Sequence, residues 1–548
     1  MNFIENESEQ KLRGGYYTPE DLATYILKWV NAAAPGSILE PSCGDGIFAQ
    51  ALASVDPGRK VELTAFELLD EEYQKTVRRC ADLGVKAQVA HGDFLDWAIR
   101  KMIAGVPLFD GVVGNPPFIR YQYLPPEAQE KAELIFKMLR LKFTKHTNAW
   151  VPFVLASLAL LKPGGRLGMI LPSEIIHVMH AQSLRTYLGE QCSRLLIIDP
   201  EEIWFEGTLQ GAVILFAEKK LEREQHSDGV GIHKVVGKEF MQADPGQLFD
   251  SVARINGETV EGKWTHALLT KEERTLFKQL CDNEQVHTFE QIADVDVGIV
   301  TGANKFFLVA DQTVAEYELG KYAFPMFGRS EHCPGIIYNE AQHRANASKG
   351  SPTNFIWIRD AVDTLPKRVR EYIKTGEAQR LHTRYKCRIR SPWYTVPSVR
   401  ASKIGMLKRS HDTPKLIFNE LGAYTTDTAY RISIKDGIDE RKLVYCFGNA
   451  LTALSAELEG RHYGGGVLEL VPSEIEALQI VLPKALNAFD LSELDGLIRE
   501  ESAQRVLEKQ TRIILGALGV TAQQQKMLLD AWLRLKNRRQ RISEAEED

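Results

Sequence analysis

The stretch Ser37-Ile-Leu-Glu-Pro-Ser-Cys-Gly-Asp-Gly-Ile-Phe48 decides the fold. A short apolar run stops at a glycine-rich turn, and a helical pattern leaves that turn. Working outward, further strand candidates are Lys60–Phe66, Ala87–Val89, Gly111–Val113, Arg166–Leu171, Leu195–Ile198 and Ala212–Phe216, after Ser37–Leu39 itself. Helical patterns lie between most of them, as at Asp21–Ala33, Leu69–Leu83 and Trp150–Leu161. Strands alternating with helices predict an α/β fold with a largely parallel, doubly wound sheet covered on both faces. The last two strand candidates are separated by a loop alone, which predicts an antiparallel edge pair.

The remainder bounds the protein class. The chain has 548 residues, 44% hydrophobic and 26% charged, which excludes a disordered chain, a collagen-like fibre and a coiled-coil rod. The longest apolar candidate, Val151 to Leu161, falls short of the roughly 18 residues a membrane-spanning helix needs. Met1 to Gln10 is polar and acidic, without a signal-peptide core, so a cytoplasmic protein that does not engage membranes is expected. Seven scattered cysteines without a CxxC pair point to reduced thiols, and no metal site is expected. The charged stretch Glu218 to Asp228 suggests a boundary, giving domains at 1–222, 223–485 (mixed α/β) and 486–548 (helical).

The net charge of −6 is unevenly spread. Leu365 to Lys415 holds 14 Lys or Arg against 3 acids, whereas the first 220 residues contain no dense basic segment. Within it Tyr385, Trp393 and Tyr394 interleave with Arg384, Lys386, Arg388 and Arg390, as expected of a surface that follows a phosphate backbone. A solvated surface segment with core aromatics is the plainer alternative.

In an open parallel sheet, ligands bind outside the carboxyl ends of the strands. Glu40, Glu67, Asp93 and Asn115 follow the first four strand candidates at intervals of 27, 26 and 22 residues, about one βα unit each. One carboxylate at a strand end is ordinarily a helix N-cap; four polar groups in series on one sheet edge suggest a site. Gly44 and Gly46 let the backbone approach a ligand, but neither GxGxxG nor a Walker lysine is present. Glu40 and Asp45 repel a diphosphate and favour a cationic or neutral ligand. Glu67 sits where an acid bidentate to a ribose is expected, and Asp93-Phe94 where an exocyclic amine and an adenine ring are held. S-adenosylmethionine, a nucleoside carrying an amino acid and a positive charge, fits this pattern.

Asn115-Pro-Pro-Phe118 is the most specific signal. Two prolines force an extended backbone, so that the asparagine carbonyl and the next backbone carbonyl converge on one amino group. Holding its two hydrogens localises the lone pair of a ring-conjugated amine for attack, while Phe118 offers a stacking face.

These motifs resemble the adenine-N6 DNA methyltransferases of bacterial restriction–modification systems, in the branch whose recognition domain comes last. Gly14-Gly-Tyr-Tyr-Thr-Pro19 is similar to that family's N-terminal motif, Glu40 to Phe48 to its glycine-rich motif, and Asn115 to Phe118 to its catalytic tetrapeptide. Leu160 to Pro172 resembles its supporting strand, and Val297 to Phe306 resembles its recognition domains. The resemblance implies a Rossmann-like methyltransferase domain, then a mixed α/β target-recognition domain and C-terminal helices. It implies S-adenosylmethionine as cofactor, held by Tyr17, Thr18, Glu40, Ser42, Gly44, Asp45, Gly46, Glu67, Asp93, Phe94 and Asn115. Asn115, Pro116 and Phe118 are the expected catalytic residues. Phe118 and Phe205 (or Trp204 beside it) are expected on a flipped base, and Arg384, Arg388 and Arg390 on double-stranded DNA, with a companion restriction endonuclease as a further partner. Phe118 departs from the tyrosine common at that place, and Asn148-Ala-Trp150 from the acid often found there. A modification subunit needing a specificity partner, and a methyltransferase for RNA or protein glutamine, share the tetrapeptide and stay open.

Overall fold

The computed structural model describes residues 17–58, 60–201, 211–255, 263–463 and 465–540. They form two compact units, the first ending at Leu269 and the second running from Thr270 to Gln540. The first is built on eight strands: β1 (Ser37–Glu40), β2 (Glu62–Glu67), β3 (Ala87–His91), β4 (Phe109–Gly114), β5 (Leu161–Pro172), β6 (Cys192–Pro200), β7 (Ala212–Lys219) and β8 (Val230–Val235). Their order is β3-β2-β1-β4-β5-β7-β6-β8. Pairings among β1 to β5 are parallel, and β7 runs antiparallel to both β5 and β6.

Seven strands lie where the sequence pattern places them. Two features differ. The antiparallel pair β6–β7 is not an edge, because β7 inserts between β5 and β6, and β8 pairs in parallel with β6 beyond it. The first unit accordingly ends at Leu269, where the sequence suggests 222. The charged stretch near 222 is a surface connection between two strands of one sheet. The run Val-Gly-Ile-His-Lys-Val of β8 is too short and too polar to announce itself.

Alternation along the strands explains the two covered faces, since neighbouring side chains point to opposite sides. Leu39, Val112, Met169, Ile197 and Leu215 enter one core with the helices Phe94–Ala104, Pro126–Met138 and Trp150–Leu160. Ile38, Val113, Ile170, Leu196, Ile198 and Ile214 enter the other, under the helices Glu20–Asn31 and Ile47–Val55. Both residues of each pair are apolar, as a sheet buried on both sides requires.

In the second unit a five-stranded sheet runs in the order Ala293–Val297, Ala429–Ile434, Ile404–Leu407, Leu416–Asn419, Ile337–Tyr338. The C-terminal helices belong to this unit. Ala522–Gln540 packs on Ala450–Glu459, and a buried Arg539–Glu457 ion pair at 2.7 Å lies between them. Among the described residues no helix is long and apolar enough to cross a membrane.

Candidate active site

Strand β1 has β2 on one side and β4 on the other, so the chain winds outward in both directions from the β1–β4 pair. The crevice at the carboxyl end of such a switch point is the natural ligand position. The loops leaving β1 and β4 meet there: Ser42 Oγ donates to the backbone carbonyl of Asn115 at 3.1 Å. Asn115 Nδ2 donates to Oγ1 of the buried Thr18 at 3.3 Å, which makes the oxygen the opposite end of the amide. Pro116 is buried and Phe118 half-buried, packed against both cores. Thr18, Ser42 and Asn115, expected together from the sequence, are brought together.

The glycine turn is shaped by its neighbours. Gly44 and Gly46 have φ of +51° and +84°, a left-handed backbone that other residues rarely adopt. A Cβ on Gly46 would lie 3.1 Å from the Cα of Thr76. Thr76, fully buried on the helix Asp70–Leu83, donates to the Gly44 carbonyl at 2.7 Å, and Arg79 one turn on pairs with Asp45 at 3.2 Å. Sequence reasoning missed both. The available signal was Thr76 with Cys80, an i, i+4 pair and the only buried positions of an otherwise charged helix.

The strand-end carboxylates differ in kind. Glu67 Oε2 accepts from Gly44 N, and Oε1 from Leu68 N and Leu69 N, all at 2.9 Å. Asp93 Oδ1 caps the helix Phe94–Ala104 by accepting from Leu95 N at 2.8 Å, and Oδ2 pairs with Lys131 at 2.8 Å. The ordinary capping role thus holds for part of Asp93. Glu40 is fully buried, and neither of its oxygens has a hydrogen-bond partner among the described residues. Burial holds its carboxyl well above the usual carboxylate range, and the charges of Asp45 and Glu67 push the same way. An orphaned buried acid beside two others fits a ligand that brings a cation to it.

Other expected residues have different surroundings. Phe94 is a core side chain at 2% exposure, edge-on to Phe66 at 5.6 Å, because the first turn of its helix points it between sheet and helix. Tyr17 is exposed, its hydroxyl donating to Glu72 at 3.0 Å. Gly14 to Tyr16, Trp204 and Phe205 lie outside the described residues.

The basic segment belongs to the second unit. Arg384 and Arg388 are exposed, with no ion pair among the described residues, and Arg388 lies over the exposed Tyr385 ring at 5.7 Å. Arg390 is spent on its own chain, donating to the carbonyls of Thr301 and Val300 at 2.7 Å each. It clamps the turn within Val297 to Phe306, a role invisible without the fold. Tyr394 is core, and Trp393 packs on Phe306 at 5.1 Å, so of the three aromatics only Tyr385 is presented.

Comparison with known proteins gives two successive matches. Residues 59–204 match the model of the Eco57I restriction-modification methylase, and residues 261–515 that of the C-terminal domain of type II methyltransferase M.Eco57I. The chain is 23% identical over 481 residues to the type II methyltransferase M.AccI of Acinetobacter calcoaceticus, covering 84% of each. It is 25% identical over 354 residues to M.BanIII of Aneurinibacillus aneurinilyticus, covering 55% of this chain and 58% of that one. The solved structure of the type IIG restriction endonuclease BpuSI aligns with 98% of this chain and 67% of its own, at 13% identity and a TM-score of 0.43. With the two family models running one after the other along most of its length, the chain belongs to the Eco57I family of type II restriction–modification DNA methyltransferases.

Proposed function

We propose that the protein methylates the N6 amino group of adenine in double-stranded DNA, using S-adenosylmethionine and a target base turned out of the duplex. The observation that carries this reading is the junction at the switch point. Ser42, two residues from the orphaned acid Glu40, bonds the carbonyl of Asn115, so the cofactor loop and the tetrapeptide are one piece. Glu40 would hold the cofactor's ammonium, Glu67 its ribose and Asp93 its adenine amine, with Gly44 and Gly46 giving the backbone room. Once bound, the cofactor supplies a sulfonium methyl group.

The chain's own residues do the remainder. Asn115 Oδ1 and the Pro116 carbonyl accept the two N6 hydrogens, drawing the nitrogen lone pair out of conjugation and towards the methyl carbon. The N–C bond forms as the S–C bond breaks, and the extra N6 proton, now strongly acidic, leaves to solvent. No base is needed before transfer. Phe118 stacks on the extruded adenine, which inside the duplex cannot reach the methyl group; Phe205 or Trp204 would take its other side. Arg384 and Arg388 meet DNA phosphates. A nuclease cutting the same sequence is the expected companion, in the cytoplasm where the DNA lies.

The test is incubation of the purified chain with duplex DNA and labelled S-adenosylmethionine, followed by nucleoside mass spectrometry and sequencing of modified bases. N6-methyladenine in one sequence context is expected. Methylcytosine, or methylation of RNA or protein instead of DNA, would overturn the assignment.

A further inference from the structure

The first unit, which looks poor in basic segments along the sequence, gathers a basic surface in space. From Leu134 to Ser173 there are six Lys or Arg and no acid. Lys162 and Arg166 are paired with Asp110 and Glu218. Arg140, Lys142 and Lys145 are exposed and have no acidic partner among the described residues, and neither does the exposed Arg120, two residues beyond Phe118. The acids preceding them are on the helix Pro126–Met138, where Glu127 is taken by Lys131.

Arg120 and the 140–148 loop are held side by side. Ala149 N donates to the Ile119 carbonyl at 2.9 Å, and Tyr121 N to Asn148 Oδ1 at 3.3 Å. The Phe143 ring meets Tyr121 at 5.9 Å and Phe136 at 5.3 Å. Ser183 Oγ donates to the Lys142 carbonyl at 2.7 Å, and Leu141 N to the Phe136 carbonyl at 2.8 Å, past a left-handed Arg140 at φ +59°. Rings and carbonyls are pinned inward while the cations face water. On a loop fixed at this many points the cations keep their places, and together they present a positive surface suited to an anion.

We propose that Arg120, Arg140, Lys142 and Lys145 grip the DNA backbone beside the extruded base, as a phosphate-binding surface separate from the basic segment of the second unit. This rests on the DNA-adenine reading above. Phosphate contacts position without reading sequence, so this surface would seat the target strand over Phe118 for any recognition sequence.

The test is the full chain carrying Arg120→Gln, Lys142→Gln and Lys145→Gln, titrated with duplex DNA from about 50 to 200 mM salt. Three lost contacts at about 0.9 each flatten the log–log slope by about 2.7, which shrinks the affinity lost over that range by about 40-fold. Cognate and non-cognate duplexes should be affected alike, with S-adenosylmethionine affinity by calorimetry unchanged. Should the triple variant fail that calorimetric control, the Lys142→Gln, Lys145→Gln pair is used, with a flattening of about 1.8. Wild-type slope and affinity in the variant would overturn this inference and leave the proposed function standing. A wild-type chain that neither binds nor methylates DNA would overturn both.

Discussion

Glu40→Gln is the sharpest perturbation available, because it keeps shape and removes a charge that is fully buried and unpartnered among the described residues. In the unfolded chain Glu40 titrates near its ordinary value of 4.5, and in the folded chain well above it. Between those two values the native state holds a proton that the unfolded state has lost, so stability falls as pH rises. The slope from this one group is about 1.4 kcal/mol per pH unit. The Gln variant carries no such slope. Its stability relative to wild type should therefore grow by about 1.4 kcal/mol per unit from pH 5 upward, until Glu40 ionises in the folded protein. Urea unfolding at pH 5, 6 and 7, with hydrogen exchange of the β1 and β4 amides to isolate the first unit, reads this difference. Cofactor binding should run the other way: an ammonium on Glu40 expels its proton. Calorimetry in two buffers of different ionisation enthalpy should show up to one proton released by wild type and none by Glu40→Gln. The variant, lacking a charge-assisted bond of about 1.5–3 kcal/mol, should bind about 10- to 150-fold more weakly. A stability difference flat in pH, together with no proton release, would refute the orphaned-acid argument.

Asn115→Ala should lose about 10²–10³ in turnover while cofactor and DNA Kd stay near wild type; a loss confined to Kd would contradict its role in the transition state. A fluorescent adenine analogue at the target should brighten on binding wild type and less on binding Phe118→Ala, and equal brightening would remove the stacking role. Arg384→Ala with Arg388→Ala should flatten the salt slope by about 1.8. Arg390→Ala should instead lower the stability of the second unit, because two carbonyls lose their donor, and urea unfolding separates the two effects. Gly46→Ala forces a Cβ towards Thr76 in a left-handed backbone, so the Tm should fall and cofactor affinity with it; an unchanged Tm would show that the helix Asp70–Leu83 can yield.

What was legible in the sequence had a local cause. Apolar runs between turns locate β1 to β7 because a parallel sheet buries both faces of each strand. The polar residues at their ends are visible because βα spacing is regular. β8 was hidden by its short, half-polar run, and the place of β7 between β5 and β6 depends on pairing that no local pattern records. Within the site, Asp93 shows the limit: a strand-end acid can cap a helix and pair with Lys131 at once, and only coordinates reveal how its oxygens are divided. Residue type suggests ligand contacts for Phe94 and Arg390, and it does not reveal that the Phe94 ring packs in the core or that Arg390 donates to its own backbone. Thr76 and the cations from Arg120 to Lys145 went unread because tertiary folding alone brings them together.

That Glu40 has no hydrogen-bond partner among the described residues also bears on how fast such an enzyme would cycle. Glu67 and Asp93 already have partners, whereas on the proposed binding mode an ammonium arriving at Glu40 displaces its proton and gives the buried acid its ion pair, so the grip would fall heaviest on the amino-acid end of the ligand. That end is identical in the methyl donor and in the demethylated product. On the proposed binding mode, an acid that draws the methyl donor in would hold the spent molecule equally well, so escape of the product would brake turnover until changes at the methyl-bearing sulfur released it.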